Sequence, residues 1–414
     1  MTRIAFLTLG CKLNYAETST YTRAFRAAGW EVVPWREKAD FYLVNTCSVT
    51  ATADTKSRSL VRKVHRLSPG ARIIVTGCSA ELRRASLEAL DGVWRVFGAL
   101  EKAQVVPETL AAAGGPPADV PMAEVFPAYS SGERTRSFLK VQDGCDNFCR
   151  YCTVPYARGR SRNVPVCECV RMAQEIASQG VREIVLTGVN TGDFGRTTGE
   201  SFAGLLKALE AVEGIERYRI SSIEPNLLTE EIIDFCAARA KFQPHFHIPL
   251  QTGTDILLER MGRRYDTAFF ASRIDYVREA FAREGRSPVF FGIDVMAGLP
   301  GETPELFERT VEFIRSVRPA FIHVFPYSPR PGTPAARMDG QVDAAEKARR
   351  VARLELLCEE LHARFREECR GLREKVLWES TKTGGHMEGY TGNYLRVERP
   401  WDASLVNTIE EITI

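Results

Sequence analysis

The chain begins with short apolar runs that alternate with stretches of helical periodicity. The predicted strands and helices fall, in chain order, at residues 3–8, about 15–28, 30–35, 41–46, 51–67 and 72–77. Short apolar strands that alternate with helices are typical of a doubly wound α/β domain with a largely parallel sheet. We therefore predict a domain of this kind for the N-terminal third.

The same alternation resumes further along the chain, and there each apolar strand runs into a loop rich in Gly, Pro and polar residues. These units cover residues 183–192, 217–225, 246–253, 290–303 and 321–334. Repeats of this kind are typical of a βα barrel that carries its functional groups in the loops after the strands. About six units in roughly 210 residues predict a partial barrel and not a closed eightfold one.

Changes of pattern divide the chain into domains. Residues 112–133 are rich in Ala, Gly and Pro, show no sustained period and are predicted to be a linker. A long helical pattern ends near residue 370, and from Arg373 the chain is rich in β-type segments. We predict an N-terminal domain (1–111), the linker, a barrel domain with a C-terminal helix (134–370) and a small β-rich domain (371–414).

Composition narrows the possible classes of protein. The 414 residues are 44% hydrophobic and 26% charged, as in a soluble globular protein of more than one domain. No apolar run approaches the ~18 residues of a membrane span, and no signal-peptide pattern is seen, so we expect a cytoplasmic protein without a membrane partner. The net charge of +2 does not indicate any particular class of binding partner. The 11 cysteines are too scattered for a disulfide framework and favour metal binding or chemistry.

The stretch GCDNFCRYC carries a C-x3-C-x2-C group without a fourth cysteine. Its members are Cys145, Cys149 and Cys152. One alternative is a stripe on a helix face, which Gly144 and the following Asp–Asn pair disfavour. Another is a zinc site that takes Cys167 or Cys169 as an irregularly spaced fourth ligand. The last is a 4Fe–4S cluster held by three thiolates, with one iron open to an exogenous ligand.

A second set of three cysteines lies in the N-terminal third. Cys11, Cys47 and Cys78 each follow the end of a predicted strand. Because the carboxyl ends of parallel strands share one edge of a sheet, we expect these side chains to converge. The alternative is three separate structural cysteines, since free Cys is often buried. Gly10 and Gly77, directly before two of the cysteines, favour a shared metal or cluster site.

Beyond the cysteines, one family resemblance runs along nearly the whole chain. The motifs are TLGCKLN, VNTCSVTATADTKSR, VTGCSAE, GCDNFCRYCTVPYARGRSR, LTGVNTG, ISSIEP, HIPLQTG, AGLPGET and HVFPYSPRPGTP. Together they resemble the methylthiotransferase branch of the radical S-adenosylmethionine (SAM) enzymes. The resemblance implies a flavodoxin-like N-terminal domain, a TIM-like partial radical SAM barrel and a TRAM-like C-terminal β-barrel.

The resemblance also implies two 4Fe–4S clusters and SAM as cofactors. The implied cluster ligands are Cys145, Cys149 and Cys152 at the site that cleaves SAM, and Cys11, Cys47 and Cys78 at an auxiliary site that is thought to carry the transferred sulfur. The implied SAM-binding residues are Gly188, Ser222, Glu224, Gln251 and Arg158. For Arg158, salt bridges that hold the cluster loop are the alternative to contact with SAM or a substrate phosphate.

The family divides by substrate into tRNA branches and a branch that modifies an aspartate of a ribosomal protein. GCKLN and HVFPYSPRPGTPAARM resemble the tRNA branch that acts on N6-threonylcarbamoyladenosine next to the anticodon. We therefore expect tRNA as the substrate, replacement of the C2 hydrogen of that nucleoside by a methylthio group, and an electron donor such as flavodoxin or ferredoxin. The alternatives are the isopentenyladenosine and ribosomal-protein branches, and a non-catalytic zinc or iron RNA-binding protein, which two incomplete cysteine sets disfavour.

Candidate RNA contacts lie on a helix, in the cluster-loop motif and near the C-terminus. They are Arg58, Arg62 and Arg66, then Arg162, then Tyr390, Tyr394 and Arg396. The first three line one face of the predicted helix at 51–67, as phosphate contacts or as an ordinary solvated face. The last three belong to GYTGNYLRV, which resembles a TRAM domain, and would stack on bases or touch phosphate. Ordinary packing within a small barrel is their alternative role.

Overall fold

The N-terminal domain of the computed structural model is a doubly wound parallel sheet. The structure describes residues 1–116, 125–132, 134–286 and 288–414. The first elements are β1 (Arg3–Thr8), α1 (Lys12–Ala27), β2 (Glu31–Val33), β3 (Phe41–Thr46), α2 (Ala51–Leu67), β4 (Arg72–Gly77), α3 (Cys78–Leu82), α4 (Arg84–Glu88), β5 (Val93–Val96) and α5 (Val105–Ala112). The strands pair in the parallel order β2-β1-β3-β4-β5, which is the flavodoxin-like order. The predicted fold class is confirmed.

Burial on both faces explains why these strands are continuous apolar runs. Every residue of β3 is buried. Alternate residues of the sheet pack against helices on opposite faces: Val44 and Val75 against α2, and Leu43 and Ile74 against α1. Helix α1 begins at Lys12, three residues before the predicted start, with Cys11 at its N-cap position. The first helix therefore starts directly after Cys11, the first cysteine of this set.

The middle domain is a partial barrel. Its elements are β6 (Ala128–Tyr129), β7 (Arg136–Lys140), β8 (Gln142–Asp143), α6 (Val154–Arg158), β9 (Arg162–Asn163), α7 (Val166–Ser178), β10 (Glu183–Thr187), α8 (Phe202–Glu210), β11 (Arg217–Ile220), α9 (Glu230–Ala238), β12 (His245–Gln251), α10 (Asp255–Arg260), α11 (Thr267–Arg283), β13 (Phe290–Ala297), α12 (Pro304–Val317), β14 (Phe321–Pro326) and α13 (Ala344–Glu368). Strands β7, β10 and β11 pair in parallel, as do β12, β13 and β14, and bridges from Tyr218 to Phe242 and from Ser222 to His247 join the two sheets. No helix in the described ranges is long and apolar enough to cross a membrane.

Strand β6 shortens the predicted linker. Ala128 and Tyr129 lie within 112–133 but pair antiparallel with β7 at the edge of the barrel sheet. The hydroxyl of Thr20, on α1, donates to the Tyr129 carbonyl at 3.2 Å, so this strand also contacts the N-terminal domain. A strand of two residues has no visible period, which is why the sequence pattern missed it. Residues 117–124 and 133 of the predicted linker lie outside the described residues.

The C-terminal segment folds as an antiparallel sheet on the base of the barrel. Its strands are β15 (Arg373–Thr383), β16 (His386–Thr391), β17 (Arg396–Pro400) and β18 (Ile409–Thr413), in the order β17-β16-β15-β18. Arg219, on the barrel strand β11, donates to the carbonyls of Thr391 and Gly392, both at 2.7 Å. The predicted small β domain is confirmed as a β structure, and it closes the end of the barrel opposite to the cysteines.

Candidate functional site

The loop of residues 144–153, called the cluster loop here, is not helical, and the helix-stripe alternative is therefore wrong. Gly144 begins it at φ +73, where an added Cβ would lie 2.0 Å from the carbonyl oxygen of Arg160. The N–H of Cys145 donates to the carbonyl of Gly159 at 3.1 Å. The chain therefore needs glycine directly before the first cysteine, since only glycine adopts this conformation without a clash.

Each cysteine of the cluster loop has an N–H donor near its sulfur. The pairs are Asn147 N to Cys145 Sγ (3.4 Å), Val154 N to Cys152 Sγ (3.4 Å) and Arg263 Nη1 to Cys149 Sγ (3.1 Å). Burial, with a smaller contribution from the nearby Cys149, raises the pKa of Cys145 and of Cys152 to about 12. The three thiols are therefore close neighbours, and the donors stabilise thiolates once a metal has displaced the protons.

The structure disfavours the zinc alternative. Cys167 is exposed, and Cys169 is fully buried on α7 with its thiol 3.6 Å from the carbonyl oxygen of Val164. Among the described residues, no three His, Cys, Asp or Glu side chains are placed to hold one metal ion. A 4Fe–4S cluster binds each thiolate through a different iron, so its ligands lie farther apart than those of a single ion. The cluster loop, with three thiols, fits that donor set.

The auxiliary cysteines, Cys11, Cys47 and Cys78, follow β1, β3 and β4, which are neighbours in the sheet. A Cβ on Gly10, at φ +100, would lie 2.8 Å from the Cβ of Cys47, so close approach here also requires glycine. Burial, with smaller contributions from Cys78 and Cys11, raises the pKa of Cys47 to about 11. The sheet edge therefore gathers three thiols from distant parts of the chain, as strand topology predicts.

Arg158 connects the auxiliary cysteines to the cluster loop. Its Nε donates to Cys78 Sγ at 3.2 Å, its Nη1 to Asp143 Oδ1 at 2.9 Å, and its Nη2 to the side-chain oxygen of Asn14. The residue is only 2% exposed. Each guanidinium nitrogen thus bonds within the protein. These contacts favour the salt-bridge alternative for Arg158, and its contact with SAM or a phosphate stays a prediction.

A buried ionic cluster surrounds Arg158 at the domain interface. Its other members are Glu17 of α1, Lys102, Lys140 of β7 and Asp143 of β8. Glu17 Oε1 lies 2.7 Å from Lys102 Nζ and 2.8 Å from Lys140 Nζ, and Asp143 Oδ2 lies 2.6 Å from Lys140 Nζ. Burial alone would raise the pKa of Glu17, but Lys102, Lys140 and Arg158 hold it well below its ordinary value. The ion pairs of this cluster therefore link charged side chains of the N-terminal domain with charged side chains of the middle domain.

The other residues predicted to bind SAM lie just after consecutive barrel strands. Gly188 follows β10, Ser222 and Glu224 follow β11, and Gln251 ends β12. A Cβ on Gly188 would lie 2.9 Å from the side-chain oxygen of Gln142, which accepts the N–H groups of the next two residues. Gln251 adopts φ +71, an uncommon value for a residue with a side chain. The structure brings all four to the same end of the barrel as the cluster loop.

Arg263 is a site residue that sequence reasoning missed. It donates to the carboxylate of Glu224 as well as to Cys149, and its Nη1 also lies 3.2 Å from the hydroxyl of Tyr151. Arg263 therefore joins a predicted SAM residue directly to a cluster-loop cysteine. No motif in the sequence around Arg263 indicates a role in the site. Its contacts arise only because the turn before α11 packs against the cluster loop.

The predicted RNA residues divide by exposure. Arg62 and Arg66 are exposed on α2, and Arg58 is half-buried beside them. Arg162 instead donates to the carbonyls of Arg158 at 2.6 Å and Arg160 at 2.8 Å. Those two bonds favour a role for Arg162 in holding the cluster loop, and its contact with RNA stays a prediction.

Tyr394 packs against the barrel base. Its ring centroid lies 4.6 Å from that of His245, its hydroxyl accepts from Arg136 Nη1 at 3.1 Å, and the guanidinium of Arg219 lies 4.8 Å from its ring. The ring of Tyr390 is in turn 5.1 Å from that of Tyr394. These contacts favour the alternative role of Tyr394 in packing, and stacking on a base stays a prediction. Arg396 is exposed but forms ion pairs with two glutamates of the same sheet.

Comparison with known proteins fits this arrangement. Residues 3–98 match the model of Uncharacterized protein family UPF0004, and residues 139–314 match that of the Radical SAM superfamily. A likeness to the radical SAM methyltransferase TsrM from Kitasatospora setae covers 81% of this chain and 77% of that one, with a TM-score of 0.59 and 17% identity, which shows the fold alone.

Named proteins with similar sequences identify the family of this chain more closely. The chain is 37% identical to the threonylcarbamoyladenosine tRNA methylthiotransferase MtaB of Bacillus subtilis, over 100% of this chain and 94% of that protein. It is 33% identical to the tRNA-2-methylthio-N(6)-dimethylallyladenosine synthase of Geobacter metallireducens, over 98% and 94%. The chain belongs to the methylthiotransferase family of radical SAM enzymes.

Gly144→Ala is expected to weaken iron binding at the cluster loop. The new Cβ would be forced against the Arg160 carbonyl at a positive φ, with a cost of about 1–3 kcal/mol to the closed loop. The measurement is the iron content and visible absorbance of the reconstituted protein. Gly180→Ala is the matched control, since Gly180 has φ +78 but no atom within 4 Å of an added Cβ. Equal iron content in both variants would contradict the expectation.

Proposed function

We propose that this chain replaces the C2 hydrogen of N6-threonylcarbamoyladenosine in tRNA with a methylthio group, using SAM and two 4Fe–4S clusters. The observation that carries the proposal is the pair of three-cysteine sites on either side of one domain interface, joined through Arg158. The full-length similarity to proteins named for this activity supports the choice of nucleoside.

The two cysteine sites have different proposed roles in the reaction. When bound, the cluster of the cluster loop supplies the electron that cleaves SAM, and the auxiliary cluster supplies the sulfur for transfer. Arg263 holds Glu224 against Cys149, and so fixes the loop after β11 relative to the cluster loop. The backbone at Gly188, where a side chain would clash with Gln142, is proposed to meet the amino group of SAM. Ser222 and Gln251 are proposed to complete the SAM site from the neighbouring loops.

The tRNA is proposed to approach along α2, whose basic face begins near the auxiliary cysteines. Arg62 and Arg66 are exposed there, four residues apart, and so project from the same side of the helix. The C-terminal sheet, proposed to be TRAM-like, would add Arg396 at its edge. A cytosolic location and a flavodoxin or ferredoxin as the electron donor are part of the same proposal.

The Arg62→Ala, Arg66→Ala double variant is expected to bind tRNA more weakly, because two phosphate contacts are lost. The dependence of affinity on salt should also become shallower, by about 0.7–0.9 per lost contact in a plot of log affinity against log salt. Fluorescence anisotropy with labelled tRNA at several salt concentrations measures both. Arg171→Ala is the control, since Arg171 is exposed on α7 but already paired with Glu168 and Glu175. If the double variant has the same tRNA affinity and salt dependence as this control, α2 is not part of the tRNA interface.

The function is tested by mass spectrometry of nucleosides from cells that lack the gene, with and without its return on a plasmid. Loss and recovery of 2-methylthio-threonylcarbamoyladenosine is the expected result. If that nucleoside is unchanged while the dimethylallyl counterpart or a ribosomal aspartate loses its methylthio group, the chemistry stands and the substrate is wrong. If all of these are unchanged, the proposed reaction itself is refuted.

A further inference from the structure

A polar cluster lies inside the barrel on three neighbouring strands. It consists of His247 on β12, Asp294 on β13 and His323 on β14. Asp294 is paired in register with His323, and His247 with Gly292. The alternate residues of the same strands, among them Ile248, Ile293 and Ile322, belong to the apolar core shared with the outer helices. Because successive side chains of a strand point to opposite faces, the polar cluster lies on the inner face of the barrel.

The two imidazoles are arranged in parallel beside the aspartate. His247 Nε2 lies 2.8 Å from Asp294 Oδ1, and the rings of His247 and His323 have centroids 4.8 Å apart and planes only 4° apart. Gly292 lies in register with His247 on one side and with Phe321 on the other, and even a Cβ there would touch His323 Nε2 at 3.7 Å. A larger side chain on Gly292 would therefore occupy the space that the stacked rings use. Asp294 fixes the ring of His247 through one nitrogen and leaves the other for a ligand.

His323 has no hydrogen-bond partner within the described part of the chain, although its ring is only partly exposed and stacks edge-on against Phe321. Burial lowers the pKa of His323, and His247 lowers it further, so its ring is neutral at neutral pH, with one donor and one acceptor nitrogen. A half-buried imidazole without a protein partner is left to bond with water or with a ligand. A ligand group in the barrel would satisfy these nitrogens.

The cluster lies next to the loops that are proposed to hold SAM. Asp294 pairs with Pro249, two residues before Gln251, and a backbone bridge joins His247 to Ser222. Phe325 lies two residues beyond His323, on the same face of β14, and is 44% exposed, which is unusual for a Phe inside a barrel. Lys12, which follows Cys11 at the start of α1, lies within electrostatic range of Asp294 and His323. The two imidazoles and the exposed ring of Phe325 thus share the inner face of the barrel, and Lys12 lies near enough to influence the pKa of His323.

We propose that His323, with His247 held by Asp294, recognises the polar N6 substituent of the substrate adenosine. This inference rests on the proposed function and names the residues that select its substrate. A threonylcarbamoyl group offers a carboxylate, a hydroxyl and ureido groups, which match imidazole nitrogens and a nearby ammonium group. A dimethylallyl group offers only hydrocarbon, and it would desolvate His323 and Asp294 without replacing their hydrogen bonds to water. His323 is therefore a specificity-determining residue, and Asp294 is a positioning residue for His247.

The test compares two substrates on the reconstituted full-length enzyme. Anticodon stem-loops that carry threonylcarbamoyladenosine or dimethylallyladenosine are supplied, and kcat/KM for each methylthio product is measured by mass spectrometry. SAM cleavage without RNA and the anisotropy-measured affinity for each stem-loop are recorded as separate readouts. His323→Phe retains the stacked ring but removes both nitrogens. It is expected to lower kcat/KM and affinity for the threonylcarbamoyl substrate by about tenfold or more, while values for the dimethylallyl substrate stay equal or rise.

Further variants separate recognition from folding. His323→Gln keeps a donor and an acceptor and should retain more of the preference than His323→Phe. His362→Phe replaces a half-buried histidine on α13, outside the barrel interior, and should change neither substrate's kcat/KM. An unchanged ratio of the two substrates in His323→Phe, or an equal fall for both, would overturn the inference while leaving the proposed function standing. If the unaltered enzyme fails to modify the threonylcarbamoyl stem-loop, the proposed function fails, and the inference fails with it.

Discussion

Cys145→Ala is expected to abolish SAM cleavage and to lower the iron content from about eight to about four atoms per chain. The cluster loop supplies three thiols and no replacement ligand, since Cys167 is exposed on α7 and Cys169 is buried away from the loop. With two thiolates left, the 4Fe–4S cluster that starts the reaction is not retained. Iron analysis and the release of 5′-deoxyadenosine under strong reductant measure the two effects.

Cys78→Ala separates the roles of the two sites. We expect it also to lower iron to about four atoms per chain but to leave SAM cleavage, because the cluster loop remains intact. Methylthio transfer to tRNA should be lost. Cys236→Ala is the control, since Cys236 is a buried core residue of the barrel, distinct from both sets. Retention of SAM cleavage in Cys145→Ala, or its loss in Cys78→Ala, would reverse the assignment of the sites.

Glu17→Gln is expected to lower the free energy of unfolding by about 3–5 kcal/mol. The carboxylate is fully buried and accepts from Lys102, Lys140 and Arg158, and its replacement leaves these three cations with Asp143 alone. Glutamine has nearly the same shape, so the loss comes from charge and not from packing. Chemical denaturation followed by tryptophan fluorescence and by far-ultraviolet circular dichroism measures the change. Glu31→Gln, in an exposed ion pair with Arg3, is the control and should cost at most about 1 kcal/mol.

The same residue predicts how stability depends on pH. The pKa of Glu17 in the folded protein is lowered from its ordinary value of 4.5, so the unfolded chain binds the proton more tightly. The contribution of Glu17 to stability is therefore fully present above about pH 4.5 and is lost as the pH falls through the folded pKa. Glu17→Gln should accordingly lose less stability on acidification than the unaltered protein. Parallel pH profiles would mean that Glu17 does not carry its charge in the folded state.

Much of the architecture follows from local pattern. The strand at Phe41–Thr46 and the helix at Ala51–Leu67 have the predicted bounds, because continuous apolar runs and a capped 3.6-residue period are local properties. Cys11, Cys47 and Cys78 could be assigned to one edge from strand order alone, since the carboxyl ends of parallel strands share an edge. The family resemblance, carried by short motifs, supplied the expected chemistry and the loops that are expected to meet SAM.

Contacts between segments far apart in the chain lay beyond that reasoning. Arg158 belongs to a recognisable motif, yet its partners Cys78 and Asn14 come from the other domain, and their positions depend on docking. Arg263 reaches Cys149 across more than a hundred residues. Tyr394, predicted to face RNA, is packed against the barrel base.

The sequence by itself therefore determined the class of domains and the two cysteine sets, because these are encoded by periodicity and spacing along the chain, and the reaction type followed from the family resemblance of its motifs. Only the tertiary structure decided which arginines are buried ion-pair partners and which are exposed at the surface. It also decided that His247, Asp294 and His323 share one surface, since strand register brings them together. The physical reason is that charge pairing and burial depend on distances between elements, which no local pattern specifies.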